Sequence, residues 1–292
     1  MLTKRWKSLT RALRGNLVIY ISNVTSLASN VVKVLEKAGE GLHVVTETRY
    51  KRAWAQTVSS LTAVRCKTHG KHKFFFGSEK GNEVEATGVA ICAGPEFAEK
   101  VRKIEAKGEL KRFEEEGRVG IFEVTIAVKK RHKTDKGEGR MYIIAVYGQV
   151  NEKQVEVGKN DRLLEAIEKQ AYDFRDWPIF ITGDFNKKKE DSSVMMRWIR
   201  TGSYIDINAY FAAMRQEEET QIGPADTNID FAWCNAKAHP MINNFSVIQN
   251  IFATHGTMRI DLSIAPYSEK CGKGRSQDNM TYQENKSYPK RA

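Results

Sequence analysis

Apolar and polar positions along the chain alternate in short blocks that predict many strands and a few helices. Leu17-Val18-Ile19-Tyr20-Ile21 is an uninterrupted apolar run, the pattern of a strand covered on both faces, and it ends at Ser22-Asn23. The period then changes: Val31, Val34, Leu35 and Ala38 fall on one face of a helix, which Gly39 and Gly41 close. Leu42 to Val45 is a second strand, ending at Thr46-Glu47-Thr48-Arg49. A strand–helix–strand unit of this kind brings its C-terminal strand ends to one edge of the sheet. Further strands are predicted over 60–66, 73–76, 87–92, 120–128, 141–147, 179–182, 228–234, 245–251 and 257–264. Asn160 to Tyr172 reads as an amphipathic helix with Leu163, Leu164, Ile167 and Ala171 inward, and Ser193 to Arg200 as a short one. Glu96 to Glu116 is charged and helix-prone with a break at Gly108. Its thin apolar set (Phe97, Val101, Ile104, Leu110, Phe113) predicts a solvated surface helix.

The stretch Trp177 to Asn186 organises the rest. Ile179-Phe180-Ile181-Thr182 runs straight into Gly183-Asp184-Phe185-Asn186. If the extended backbone continues, Phe185 enters the core while Asp184 and Asn186 project together. A carboxylate beside an amide suits phosphoester hydrolysis: the acid can activate water and the amide can donate to an anionic oxygen. The plainer alternative is a strand end followed by an Asx-type turn.

Composition narrows the partners. The 292 residues are 41% hydrophobic, enough for a sizeable core, and 47 Lys plus Arg against 36 Asp plus Glu give a net charge of +11 and a pI near 9.4. That excess favours a polyanion: DNA, RNA or an anionic surface. Cys66, Cys92, Cys234 and Cys271 include no zinc-type spacing and no disulfide framework. No apolar stretch is long enough for a signal core or a membrane span. The chain divides into a basic lead-in (1–16, with the composition of a nuclear-targeting patch), one domain (17–266) and a polar, basic tail or linker (267–292). A soluble, intracellular protein of a reducing compartment, with no membrane partner, is expected. The basic runs 65–73, 129–140 and 187–189 are candidates for phosphate contacts, with His69, His72 and His132 among them, and plain solvation is their alternative. His43 and His239 have no evident partner.

Polar residues stand at strand ends throughout: Asn23, Glu47, Tyr147, Asp184 with Asn186, Asp230 and His255. Singly, each has an ordinary reading: Tyr147 as a packing tyrosine, Glu47 as a strand-end charge, His255 as a hydrogen-bonded histidine. In order they become specific. Ser22-Asn23, Thr46-Glu47-Thr48-Arg49, Val146-Tyr147-Gly148, Gly183-Asp184-Phe185-Asn186, Ile229-Asp230-Phe231 and Thr254-His255 together resemble the endonuclease/exonuclease/phosphatase superfamily, the deoxyribonuclease-I-like and apurinic-endonuclease-like proteins, over residues 17–264. Within it the chain looks closest to the endonuclease domains of retrotransposon polyproteins that also carry a reverse transcriptase. The resemblance implies an α/β fold, a four-layer α/β/β/α sandwich with two packed mixed sheets. It implies Mg²⁺, or Mn²⁺, held by Glu47 with Asn23 beside it. Asp184 would activate water, Asn186 would steady it, and Tyr147 would meet the phosphate. Asp230 would orient His255 and raise its proton affinity. The implied partner is nucleic acid, DNA first, with a reverse transcriptase domain as a companion in the same polyprotein.

Two positions depart from the pattern. Thr254 stands where the superfamily has Asp, and a hydroxyl is a poor substitute for an anionic ligand. Gln149 stands where many members have proline. Three activities follow as alternatives: a metal-dependent endonuclease, a non-catalytic nucleic-acid-binding module on the same fold, or a phosphatase of small or lipid phosphates.

Overall fold

In the computed structural model, which describes residues 16–49, 72–78, 88–129, 136–150, 158–216, 228–252 and 255–264, the apolar runs build two six-stranded sheets. The first holds β1 (Asn16–Asn23), β2 (Gly41–Thr46), β3 (Lys73–Phe76), β4 (Val89–Ala93), β11 (Ile242–Ile248) and β12 (Thr257–Ser263), in the order β11-β12-β1-β2-β4-β3. The second holds β5 (Val101–Ile104), β6 (Val119–Lys129), β7 (Lys136–Tyr147), β8 (Ile179–Asp184), β9 (Ile205–Asp206) and β10 (Asp230–Cys234), in the order β5-β6-β7-β8-β10-β9. Both are mixed: β1–β2 and β7–β8 are parallel and their other pairs antiparallel.

The layers follow from side-chain parity. Leu17, Ile19 and Ile21 of β1 meet Met141, Ile143 and Ala145 of β7 in the core between the sheets. Helix α1 (Leu27–Ala38) covers the outer face of the first sheet with Leu27, Val31, Val34, Leu35 and Ala38. Helices α2 (Glu109–Glu115), α3 (Lys159–Ala171) and α4 (Ser193–Thr201) cover the outer face of the second. A fifth helix, α5 (Ile207–Arg215), had no counterpart in the periodicity and packs Ile207 and Phe211 at the edge of the inter-sheet core.

The segment 96–116 differs from the sequence expectation. It is a turn, an edge strand and a short helix, and its apolar residues are interior: Phe97 and Val101 lie between the sheets, Leu110 and Phe113 on the inner face of α2. β-branched Val101 and Ile104 pair with the edge of β6, and that ladder overrides helix propensity. Gly108 does end the first part, with φ at +56°. The strands predicted over 60–66, the loop tip 130–135, Cys66, Cys271, His69, His132 and both terminal segments lie outside the described residues. Cys92 and Cys234 are buried.

His43 has partners after all. It is fully buried beneath α1, with Nδ1 3.3 Å from the Val34 carbonyl and Nε2 3.0 Å from Ser22 Oγ, which is 3.0 Å from Thr257 Oγ1. Nδ1–H is placed to donate to the Val34 carbonyl, while the Ser22 hydroxyl beside Nε2 donates its proton to Thr257 Oγ1. Burial pushes its pKa down to about 4. The unfolded chain therefore binds a proton that the folded chain refuses, between the ordinary value and about 4. Stability is lost as pH falls through that window. At about 1.4 kcal/mol per pH unit the wild type should lose about 3 kcal/mol more than His43→Gln between pH 6.5 and 4. Urea unfolding of both proteins at the two pH values measures it, and parallel losses would remove His43 as the cause.

Candidate functional site

The parity that builds the core also builds the site. One step beyond Ile21 and Ala145, two steps beyond Phe180 and one step before Ala232, the inward-facing positions are polar. Asn23, Tyr147, Asp184 and Asp230 thus emerge at one mouth of the inter-sheet space, because alternate strand residues share a face. β10 runs antiparallel to β8, so its first residue reaches the mouth that β8 reaches with its last. Asp230 and Asp184 stand directly opposite one another, and Tyr147 is opposite Asp184 on the other side.

Hydrogen bonds hold Asp184 from two directions. Asn23 Nδ2 donates to Oδ2 at 2.8 Å and the Asn186 backbone N–H to Oδ1 at 2.9 Å. The latter closes an Asx turn, so the plain reading of this strand end and the functional one coexist. Extended backbone does not continue to Asn186: its φ is +50°, and its Nδ2 donates to the Gly148 carbonyl at 3.1 Å. Phe185 enters the core as expected. His255 Nδ1 donates to Asp230 Oδ2 at 2.6 Å, leaving Nε2 as the ring's other polar atom. Glu47, at φ +53°, takes Arg49 Nη2 at 2.6 Å and Nε at 3.2 Å on Oε1 alone, leaving Oε2 free of that contact. Asn23 Oδ1 accepts the Thr25 N–H at 3.0 Å.

Electrostatics bind these groups into one set. Burial, then the facing Asp230, pushes Asp184 up to about 7. Burial likewise raises Asp230. His255 is held above its ordinary value: burial opposes its charge, but the Asp230 bond and the charges of Asp230, Asp184 and Glu47 outweigh it. Burial and the charges of Glu47 and Asp184 push the Tyr147 phenol far up, so it stays protonated. The seven residues singled out in the sequence therefore converge. Ligand atoms of Asp184, Asp230 and His255 lie within 4.8 Å of one another, a group able to hold a metal ion.

The basic runs fare differently. Lys187 pairs with Asp161 at 3.5 Å and Lys189 with Asp206 at 3.3 Å, which leaves Lys188 as the exposed member. His72 is buried, not a surface phosphate contact. His239 packs edge-on against Tyr210 at 4.4 Å between ring centroids. Thr254 lies outside the described residues. Two supporting residues escaped the sequence reading, Arg118 and Asn160. Asn160 accepts the Gln149 N–H at 2.6 Å and donates to the Gln149 carbonyl at 3.2 Å. A proline at 149 could not make the first bond.

No protein-family model and no curated protein sequence matches the chain. Solved structures do. The AP endonuclease LMAP from Leishmania major is similar with a TM-score of 0.64 at 10% identity, over 85% of this chain and 88% of that one. The endonuclease domain of TRAS1, a telomere-specific non-LTR retrotransposon, is similar at 0.55 and 10% identity, over 86% and 100%. The 3′ phosphatase NExo from Neisseria, bound to product DNA hairpin, is similar at 0.56 and 13% identity, over 84% and 99%.

Gly183 carries a prediction. Its φ is +141°, and a Cβ there would lie 2.1 Å from the Val146 carbonyl oxygen. Gly183→Ala should cost about 3 kcal/mol of stability, the sum expected from backbone strain and overpacking. Urea denaturation measures it, and a neutral change would mean that β7 and β8 have more room than their contact shows.

Proposed function

We propose that this chain, whose fold is that of the endonuclease/exonuclease/phosphatase superfamily, is a Mg²⁺-dependent phosphodiester hydrolase, and specifically a DNA endonuclease of the retroelement type. The observation that carries the reading is the buried Asp184–Asp230–His255 group with Asn23 at the mouth of the inter-sheet cleft. The net charge of +11 supports a polyanionic substrate. TRAS1 is a retrotransposon endonuclease and NExo was solved with product DNA, which supports DNA and the retroelement type.

The donor set fits a hard divalent cation. Asp184, raised by burial and the facing Asp230, and Asp230, raised by burial, are groups that a cation held beside them would relieve. Glu47 and Asn23 would hold Mg²⁺, or Mn²⁺ in its place, with oxygen atoms. When bound, the ion supplies positive charge to a phosphate oxygen as negative charge builds there.

The chain's own residues do the rest. Ionised Asp184, fixed by Asn23 and Asn186, accepts a proton from the attacking water. The new P–O bond forms in line with the one that breaks, giving a phosphomonoester and a hydroxyl end. His255, kept cationic by Asp230, offsets phosphate charge, and the Tyr147 phenol donates to a phosphoryl or leaving oxygen. A second reading rests on Thr254: with the superfamily's Asp replaced, the chain would bind nucleic acid by charge without cleaving it.

Supercoiled plasmid tests both. Nicking should require Mg²⁺ or Mn²⁺ and fall about 10³-fold in Asp184→Asn and in His255→Ala, within the span of general acid–base effects. Nicking that survives both substitutions sinks the proposal. The rate should decline in acid as Asp184 takes up a proton and in alkali as His255 loses one. Thr254→Asp separates the readings: a large gain in cleavage marks a weakened enzyme, and salt-sensitive binding with no turnover in either form marks the module. A parallel panel of DNA, RNA and inositol phosphates identifies the substrate class.

A further inference from the structure

We infer that Arg118 is a positioning residue that fixes Tyr147 and Asn186 in one geometry through the Gly148 carbonyl. The inference rests on the endonuclease reading for its consequence in catalysis, and on geometry for the coupling itself.

The placement of Arg118 begins with a helix end. α2 stops at Glu116, and Gly117 follows with φ at +73°. The Gly117 N–H donates to the Glu114 carbonyl at 2.9 Å and the Arg118 N–H to that of Phe113 at 2.8 Å. These two bonds and the left-handed glycine form a Schellman motif, which fixes the direction in which Arg118 leaves the helix. The Arg118 carbonyl then accepts the Tyr147 N–H at 2.8 Å, so the two backbones are tied before any side chain is considered.

The side chain completes the tie. Arg118 is only 7% exposed. Its Nη1 donates to the Gly148 carbonyl at 3.0 Å, and its guanidinium carbon lies 5.2 Å from the centre of the Tyr147 ring. The same carbonyl accepts Asn186 Nδ2 at 3.1 Å. Gly148 also donates its N–H to the Asp184 carbonyl at 2.8 Å, and a Cβ at this position would sit 2.0 Å from the Phe185 carbonyl oxygen. One oxygen therefore receives both an arginine and the amide that follows the Asp184 strand, while the arginine lies over the tyrosine ring. A neutral donor could satisfy the Gly148 carbonyl but would not also engage the ring. The guanidinium over the electron-rich face of Tyr147 restrains the phenol while Nη1 holds the carbonyl.

The test uses the full chain. Arg118→Met should lower kcat for Mg²⁺-dependent plasmid nicking by about 30- to 100-fold, the scale expected when a reacting group is misplaced by about 1 Å. KM for DNA and the Mg²⁺ requirement should stay as in the wild type. Arg118→Lys should fall between, because an ammonium can serve the carbonyl or the ring but not both; it also stands in should the methionine variant fail to fold. In a Tyr147→Phe background most of the Arg118→Met effect should vanish. Equal losses in both backgrounds, or losses that track thermal stability alone, overturn the inference. A second readout is independent of nuclease activity. With ¹³Cζ-labelled tyrosine, the resonance assigned to Tyr147 by its loss in Tyr147→Phe should move in Arg118→Met while the other tyrosine resonances hold. An unmoved Tyr147 resonance also overturns the inference, whereas wild-type protein that never nicks DNA overturns the endonuclease reading and leaves this coupling to be decided by the spectrum.

Discussion

Two carboxylates facing each other in a place poor in water set the terms for everything around them. At a separation within 4.8 Å, a pair of unit negative charges repels by about 3.5 kcal/mol at an effective dielectric constant near 20. The strand pairing that makes the second sheet also makes this confrontation, since Asp184 and Asp230 are register partners. It persists because each acid is met by a donor from elsewhere. Asn23 reaches across from the other sheet to Asp184, and His255 comes from the other sheet to Asp230. The repulsion is thus converted into a requirement that the two sheets stay in one relative position, and the site reports on the packing of the whole domain.

That requirement explains how polar groups are spent away from the mouth. Ser22 precedes Asn23 and Thr257 follows His255 by two residues; Ser22 is tied to buried His43 on the outer face of the first sheet and donates to Thr257 Oγ1. Helix α1 steadies the same two loops. Asn30 Nδ2 donates to the carbonyls of Val24 and Ser26, and Lys33 Nζ to that of Ile251. Phe252 is buried against α1 beneath the Lys33 ammonium. The crossover helix is therefore more than a link between β1 and β2: one face fills the core and one rim clamps the loops that deliver Asn23 and His255. Loops held at both ends by a rigid element keep side chains within the tolerance that catalysis demands.

Much of this was legible in the sequence, for definable reasons. Continuous apolar runs gave the central strands, and the switch to a helical period gave α1 and α3. Polar residues just beyond those runs gave the site, because strand parity is a strict rule. The segment 96–116 was misread because Val101 and Ile104 owe their burial to partners on β6, Val124 and Ile121, which local charge density conceals. Lys187 and Lys189 looked like phosphate contacts because their partners, Asp161 and Asp206, are distant in sequence. His43 and Arg118 were passed over for the same reason: a buried polar residue is recognised by what satisfies it, and each is satisfied across elements. Local pattern announces which face a residue takes, and it is silent about who waits there.

The same accounting bears on the departure at Thr254. The described charges of the mouth nearly cancel: Glu47 is met by Arg49, Asp230 by His255, and Arg118 lies over Tyr147, which leaves Asp184 with neutral donors only. Thr254 adds no charge to that balance, whereas an aspartate beside His255 would add a further negative one. A mouth with an additional acid leans harder on a divalent cation to stay assembled. With its described charges nearly balanced, this mouth would offer a divalent cation a smaller electrostatic reward. The raised proton affinity of Asp184 belongs to the same picture, because the group that lacks a cationic partner is the one that burial and Asp230 push toward its neutral form. A base held near neutrality in the resting state and ionised when positive charge arrives would join catalysis to the arrival of metal and substrate, and the sheet pairing that sets Asp184 against Asp230 is what makes that coupling possible.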